Sequence, residues 1–509
     1  MSRTLIRGRR DFLKWAALGV AVPALAALER AASLPRPNVI FILADDIGYG
    51  DLACYGGIGV RTPNVDRLAK EGIRLTDAHA PASVCTPTRY SFLTGQYAWR
   101  NPAADHILSG EDPLAIDTAT VTVPCLFKRA GYTTAVVGKW HMGLDDRDIH
   151  WNGEIKPGPL EVGFDYAFYY PATNDRVPCV YIENHRVVGL DPNDPIAISY
   201  SVRIGNEPTG REHPEMLKLE LLQGHDGTIV DGISRIGFMS GGKAAWWKDE
   251  AIADTLTSKA VAFIERSKSP FFLYFATHNI HQPRWPNGRF KGTSGCGTRC
   301  DSIQEFDGSV GTVLATLDRL NLVANTLVIV SSDNGGAMDD GYDSGDVRNA
   351  NGHRCNGVLR GYKGSLWEGG NREPFIARWP LRIKPGSQSD ELLCLVDMLS
   401  TFAELIGQAL PADAGPDSFN MLPALLGEKH GKPLRDHLVM QANGSHALAI
   451  RKGRWKLIPA AQAAQGGPQL YDLREDVRET NDLAAHHPGI VKELSDLLTQ
   501  LREDGRSRP

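Results

Sequence analysis

Cys85-Thr86-Pro87-Thr88-Arg89 places a sulfur nucleophile, a helix-starting proline and a fixed cation side by side. That combination aims a reactive group at an anion. Thr86 is expected as the N-cap and Pro87 as the first helical residue, with Tyr90, Phe92 and Leu93 on the apolar side and Gly95 as the stop. Cys85 then sits beside free N–H groups and the positive dipole end of the helix, where sulfate or phosphate is favoured.

Four more polar groups each follow an apolar run. Asp45-Asp46 comes after Val39-Ile40-Phe41-Ile42-Leu43-Ala44, and Lys139-Trp140-His141 after Thr133 to Val137 and Gly138. His278-Asn279-Ile280-His281 comes after Phe271 to Ala276, and Asp333-Asn334-Gly335 after Thr326 to Ser331. In an open α/β sheet ligands bind beyond the carboxyl ends of the strands, so four strands are expected to deliver these residues to one edge. Asp45, Asp46, Asp333 and Asn334 offer only oxygen ligands, which suits Ca²⁺ or Mg²⁺ rather than zinc. Three crowded carboxylates also need a cation to offset their repulsion.

The elements that must position these groups alternate between strand and helix signals from Asn38 onward, the pattern of a parallel sheet covered on both faces. Thr62-Pro63 opens a helix ending at Gly72, and Pro124 to Ala130 gives one stopped by Gly131. Ala251 to Arg266 and Val310 to Leu320 also read as helices, while residues 143–242 read as long loops on the active face. After about Pro433 the texture changes to short strands, His437 to Gln441, His446 to Arg451 and Arg454 to Ile458, with Lys452-Gly453 as a tight turn. A last helix carries Ile490, Val491, Leu494, Leu497, Leu498 and Leu501 on one side.

Cys85-x-Pro87-x-Arg89 followed by Ser91-Phe92-Leu93-Thr94-Gly95-Gln96 resembles the signature of the type I sulfatases. Gly138-Lys139-Trp140-His141, His281-Gln282-Pro283 and Leu359 to Gly364 with Glu368-Gly369-Gly370-x-Arg372-Glu373-Pro374 are similar to further motifs of that family, in order from about Pro37 to Leu405. The resemblance implies an alkaline-phosphatase-like fold, with a large mixed and mostly parallel sheet between helices and a small C-terminal antiparallel α+β subdomain. Together with the sequence patterns at the two ends, it gives expected domains at 1–33 (a twin-arginine signal peptide), 37–432 (the sulfatase-like catalytic domain) and 433–509 (the C-terminal subdomain). By the same resemblance Cys85 is oxidised to formylglycine by a formylglycine-generating maturation enzyme. One hydroxyl of its hydrate attacks the sulfur of a sulfate ester and the other later expels sulfate. Asp45, Asp46, Asp333 and Asn334, with residue 85, hold one divalent metal, usually calcium. Arg89 steadies residue 85, while Lys139 and Lys363 are cations on the sulfate. His141 is the base that releases sulfate, and His281 helps protonate the leaving oxygen, with His278 ranked behind it. Similarity to the arylsulfatase and N-acetylgalactosamine-6-sulfatase branch points to a sulfated carbohydrate, or an aryl sulfate, as substrate. Asn174, Asp175, Arg176, Trp285, Asp339, Asp340, His353 and Arg354 are candidates for sugar subsites.

Composition bounds these expectations. The chain has 509 residues, 42% of them hydrophobic, and a net charge of −5, which excludes disorder and any global attraction to nucleic acid. An anionic substrate must therefore be drawn in by a local cluster. Arg9-Arg10-Asp11-Phe12-Leu13-Lys14 before an apolar run from Trp15 to Leu28, broken by Pro23, reads as a twin-arginine export signal. That reading implies handling by the twin-arginine translocase, a periplasmic or secreted destination and no membrane span in the mature chain. Cys296-x-x-x-Cys300 is expected as a small disulfide or two free thiols. Two rival readings remain open: a phosphomonoester or phosphonate hydrolase of the same superfamily, and a carbohydrate-binding protein without catalysis.

Overall fold

Strand β1 (Asn38–Ala44) is buried along its whole length, because its side chains alternate between two separate cores. Val39, Phe41 and Leu43 enter one core, Ile40, Ile42 and Ala44 the other. The computed structural model describes residues 36–508 apart from 269, 445 and 463–465, so the twin-arginine segment lies outside the described residues.

Around β1 the elements run α1 (Pro63–Glu71), β2 (Ile73–His79), α2 (Cys85–Thr94), α3 (Val123–Arg129), β3 (Thr133–Lys139), β4 (Tyr166–Tyr170), α4 (Ile252–Arg266), β5 (Phe271–Ala276), α5 (Gly297–Arg319) and β6 (Thr326–Ser332). A short helix α6 (Glu368–Asn371), strand β7 (Arg372–Arg378) and helix α7 (Met398–Leu405) complete this part. The sheet order through its centre is β2-β7-β6-β1-β5-β3-β4, with short strands continuing both edges. β6, β1, β5, β3 and β4 are parallel, and β7 runs against β6 and β2.

Register decides where the functional residues fall. Leu43 pairs with Ala276, Ala44 with Ser332, and Ala276 with Gly138, so β1, β5, β6 and β3 end level with one another. Asp45, Asp333 and Lys139 therefore meet on the same edge. Gly138 is required there: its φ is +115° and a Cβ would lie 1.7 Å from the Ala276 carbonyl oxygen.

A second sheet is antiparallel, β8 (His437–Gln441), β9 (Leu448–Lys452), β10 (Trp455–Ile458) and β11 (Gln469–Asp472), followed by helix α8 (Pro488–Glu503). Gly453, at φ +54°, makes the β9–β10 turn. Buried charge joins this sheet to the first. Arg451 grips Asp77 of β2 at 2.7 and 2.6 Å, and Lys456 lies between Glu368 at 2.9 Å and Glu479 at 2.8 Å.

Several elements differ from expectation. α5 begins thirteen residues before Val310, and 143–242 is not all loop, since it contains β4 and several two- and three-residue strands. Cys296 and Cys300 form a disulfide, and the other six cysteines are free. No helix among the described residues is long and apolar enough to cross a membrane.

Candidate active site

Helix α2 starts at Cys85 itself, with Val84 as N-cap, so the expectation of Thr86 at that position is corrected. The Thr86 hydroxyl is used elsewhere, donating to the His141 carbonyl at 3.0 Å and accepting from the Leu108 N–H at 3.3 Å. Gly95 ends the helix in the left-handed conformation, as its place in the sequence suggests. Phe92 and Leu93 are fully buried, and Phe92 packs 4.5 Å from Phe41. At about 1.5–3 kcal/mol for each large apolar side chain, this anchors the helix and so fixes Cys85.

Cys85 is 1% exposed and its Sγ lies 3.7 Å from Asp45 Oδ1. Burial, reinforced by the negative charge of Asp333, pushes its thiol up to about 12. An unmodified thiolate is therefore scarce at neutral pH, and sulfur alone is a poor nucleophile here.

Three carboxylates and three cations interlock around it. Arg89 donates through Nε and Nη2 to Asp333 Oδ2 at 3.0 and 2.7 Å, and through Nη1 to the Lys139 carbonyl at 3.2 Å. Lys139 Nζ lies 2.7 Å from Asp45 Oδ2, and Lys363 Nζ 2.8 Å from Asp46 Oδ1. Asn334 Nδ2 donates to Asp46 Oδ1 at 2.7 Å, while its Oδ1 is buried with no partner. Burial raises Asp45 to about 7 despite Lys139, with Asp333 and Asp46 pushing the same way. Burial also opposes ionisation of Asp46, but Lys363, His281 and Lys139 outweigh it and hold that carboxyl below its ordinary range.

This donor set fits a hard divalent cation. Ligand atoms of Asp45, Asp46, Cys85 and His281 lie within 4.8 Å of one another; Asp333, expected as a ligand, lies outside that group with its Oδ2 held by Arg89, and Asn334 keeps a buried oxygen without a partner. With all three carboxylates ionised, as a bound cation would favour, they cancel the three cations, so a divalent ion would make the site net positive, as suits an anionic substrate.

The two histidines differ in which nitrogen faces the pocket. His141 Nε2 is 2.9 Å from the Leu108 carbonyl and must donate to it, which leaves Nδ1 as a buried lone pair without a partner. Burial, then Lys139 and Arg176, keep this imidazole neutral by lowering its pKa far below the usual value. His281 directs Nδ1 to the Gln282 carbonyl at 2.6 Å, so Nε2 faces Asp46 at 4.0 Å. Burial, with Lys363 adding to it, lowers His281 to about 3. His278 is buried elsewhere, its carbonyl accepting from the His281 N–H, and does not line the pocket.

The pocket holds about 170 Å³, and its lining includes Cys85, His141, His281 and Lys363 together with Asp175, Arg176, His225 and Asp340. Of the eight subsite candidates, Asp175, Arg176 and Asp340 reach it. Asn174 is tied to the His281 and Pro283 carbonyls, His353 to Asp51 and the Ile58 carbonyl, and Asp339 to the Ser344 N–H. Trp285 lines a different cavity, and Arg354 is exposed. His225 is missing from the sequence-derived set. Its Nε2 lies 2.9 Å from Asp175 Oδ2, and the aspartate raises its pKa against the opposing effect of burial. No motif surrounds His225, so its sequence carries no signal.

Comparison with known proteins gives the class that this fold and site belong to, a hydrolase of sulfate esters. Residues 37–408 match the family model described as sulfatase, and residues 362–504 that described as N-sulphoglucosamine sulphohydrolase, C-terminal. The chain belongs to the sulfatase family. It is 48% identical to an N-acetylgalactosamine-6-O-sulfatase of Bacteroides thetaiotaomicron, across 92% of this chain and 93% of that protein. It is 31% identical to human arylsulfatase A, across 95% and 91%. A solved Bacteroides thetaiotaomicron sulfatase, from work on that organism's metabolism of multiple glycosaminoglycans, superposes with a TM-score of 0.90 at 47% identity, covering 92% of this chain and all of that one. The chain is thus a sulfuric ester hydrolase.

Proposed function

We propose that this chain removes sulfate from a sulfated carbohydrate, a 6-O-sulfated N-acetylhexosamine at the end of a glycosaminoglycan chain, through residue 85 after its conversion to formylglycine. The observation that carries this is the placement of Cys85 in the first turn of a buried helix, among three cations and three carboxylates. The sugar class rests on the 48% relative, and the terminal position on a pocket too small for much more than a sulfate and one ring. Asp45, Asp46, Asp333, Asn334 and residue 85 would hold a calcium ion, with magnesium the alternative. When bound, that ion supplies Lewis acidity and charge compensation, and formylglycine supplies a hydrated aldehyde oxygen as nucleophile.

The chain's own residues do the rest. Lys139 and Lys363 grip the sulfate oxygens as negative charge develops, and Arg89 keeps Asp333 oriented. His141 Nδ1, neutral and unpartnered, takes the proton that must leave when sulfate is released. His281 Nε2 exchanges a proton with the leaving oxygen. A bound sulfate ester brings negative charge beside it and so raises its proton affinity from the low value of the empty pocket. The Asp175–His225 pair and Arg176 face the sugar and can fork onto adjacent hydroxyls.

Export through the twin-arginine translocase to the periplasm or beyond fits the sequence of residues 1–33, with catalytic and C-terminal parts at 37–432 and 433–509. The test is the intact mass of the peptide containing Cys85, paired with hydrolysis of 6-O-sulfated N-acetylgalactosamine and of a phosphate monoester. We expect the mass loss of thiol-to-aldehyde conversion, release of sulfate in strong preference to phosphate, and loss of turnover by at least about a thousandfold in Cys85→Ala. An unmodified thiol in fully active protein would overturn the mechanism, and a preference for phosphate would overturn the substrate.

A further inference from the structure

A second cavity near the site is larger than the catalytic pocket. About 430 Å³ of space lies between residues 364–367 and the antiparallel sheet, floored by Leu366, Trp367 and Ile458 and rimmed by Asn443, His446 and Gln462. Its walls are bonded to the approach to Cys85. Gly364 lines the cavity and follows Lys363, which lines the catalytic pocket. The Gly364 N–H donates to the Ser83 carbonyl at 2.8 Å, and the Ser83 N–H donates to the carbonyl of Gln441, whose neighbour Ala442 forms the opposite wall. Ser83 is two residues from Cys85, and the consecutive residues Lys363 and Gly364 line one cavity each, so the two cavities adjoin the same stretch of backbone.

The lining chemistry is selective. The floor is apolar and contains an indole, one face of which is covered by Arg360 at 4.1 Å. Amide side chains and an exposed histidine occupy the rim. None of its described lining residues is Lys, Arg, Asp or Glu. A sulfate or uronate placed here would lose hydration with no compensating cation. An uncharged pyranose instead lays its C–H face on the apolar floor and its hydroxyl or acetamido groups against the amides.

We propose that this cavity is a second carbohydrate subsite, which holds an uncharged sugar ring of the same chain whose sulfated residue occupies the catalytic pocket. The proposal rests on the carbohydrate-sulfatase reading and adds a requirement for the neighbouring part of the substrate. Among glycosaminoglycans, the enzyme prefers those in which an uncharged hexose adjoins the sulfated N-acetylhexosamine over those in which a uronate does.

The test compares the mature enzyme on three substrates: a 6-O-sulfated N-acetylhexosamine monosaccharide, an oligosaccharide in which that residue adjoins uncharged sugars, and one in which it adjoins a uronate. Wild type is expected to favour the uncharged oligosaccharide over the uronate one. Trp367→Ala should raise KM for that oligosaccharide by about tenfold, the size of one lost aromatic contact, and leave monosaccharide hydrolysis within about twofold. Asn443→Glu, an exposed change at the rim, should raise the same KM and spare the monosaccharide even if Trp367→Ala folds poorly. Equal losses on monosaccharide and oligosaccharide, no loss on either, or a wild-type preference for uronate would each overturn the subsite. If wild type released sulfate from aryl sulfates and from none of these sugars, the carbohydrate reading itself would fall, and the subsite with it.

Discussion

Arg299 offers the sharpest test of how the active-site loops are held. Its side chain is almost fully buried and bonds three loops at once. Nε donates to Asp51 Oδ1 at 3.1 Å, Nη1 to the Ala337 carbonyl beyond Asp333-Asn334, and Nη2 to the Asp46 carbonyl at 3.2 Å. Asp51 in turn accepts from the Gly48 N–H at 2.7 Å and from His353 at 2.8 Å. Arg299→Met removes the cation, strands a buried carboxylate and leaves two carbonyls short of donors. Breaking a buried pair from one side costs about 3–5 kcal/mol, a large share of the 5–15 kcal/mol typical of a folded domain, roughly speaking. His353 softens the loss, so the lower end is expected.

The pH dependence has a definite sign. Burial opposes ionisation of Asp51, but Arg299 and His353 outweigh it and hold its carboxyl below the ordinary range. The stabilisation it provides is therefore complete above the unfolded carboxylate pKa and disappears as pH falls through the lower folded value. Urea unfolding of wild type, Arg299→Met, Asp51→Asn and the double variant should show a wide gap between wild type and Arg299→Met at pH 7. The gap should narrow below about pH 4, and the two sites should couple by about 1–3 kcal/mol. A loss below about 1 kcal/mol at neutral pH, or a gap that stays constant on acidification, would refute the reasoning.

Two further outcomes follow from the same geometry. Chelation of divalent ions should stop sulfate release and lower the melting temperature, because Asp45, Asp46 and Asp333 then repel; calcium should restore both, and zinc should not match it. Lys456→Met should leave Glu368 and Glu479 facing each other in a buried interface, which should destabilise the chain by about 3 kcal/mol or more and slow turnover through the segment carrying Lys363, as unfolding and kinetics would show.

The parts of the site legible in the sequence were those with strong local signals. β1, β3, β5 and β6 are continuous apolar runs, and the polar residues just beyond them share one edge because parallel register aligns strand ends. β2 and β7 lacked that signal. β2 carries Arg74, Thr76, Asp77 and His79, and its charged end is buried only because Arg451 and Arg372 arrive from distant segments. The first half of α5 was hidden for a similar reason. Arg299, Asp301, Glu305 and Asp307 look like surface charge, yet all are buried against loop N–H groups, carbonyls or Asp51. Thr86 has the chemistry of an N-cap, but tertiary bonds to the 108 and 141 segments claim its hydroxyl. His225 was out of reach altogether, since only the folded loop brings it to Asp175, fifty residues earlier.

The pairing of β1 with β6 sets a timetable for biosynthesis. Asn38 meets Thr326 across 288 residues of chain, so the centre of the sheet cannot close until that later stretch has left the ribosome. Once closed, it seals Cys85 at 1% exposure under a packed helix. Any catalyst that is to alter the thiol must reach it during that interval, while residues near 85 are still an extended peptide. On the proposed conversion of residue 85, a molecule that folds too soon would be locked in the unaltered form, and active yield would depend on the race between chain closure and the supply of a modifying enzyme.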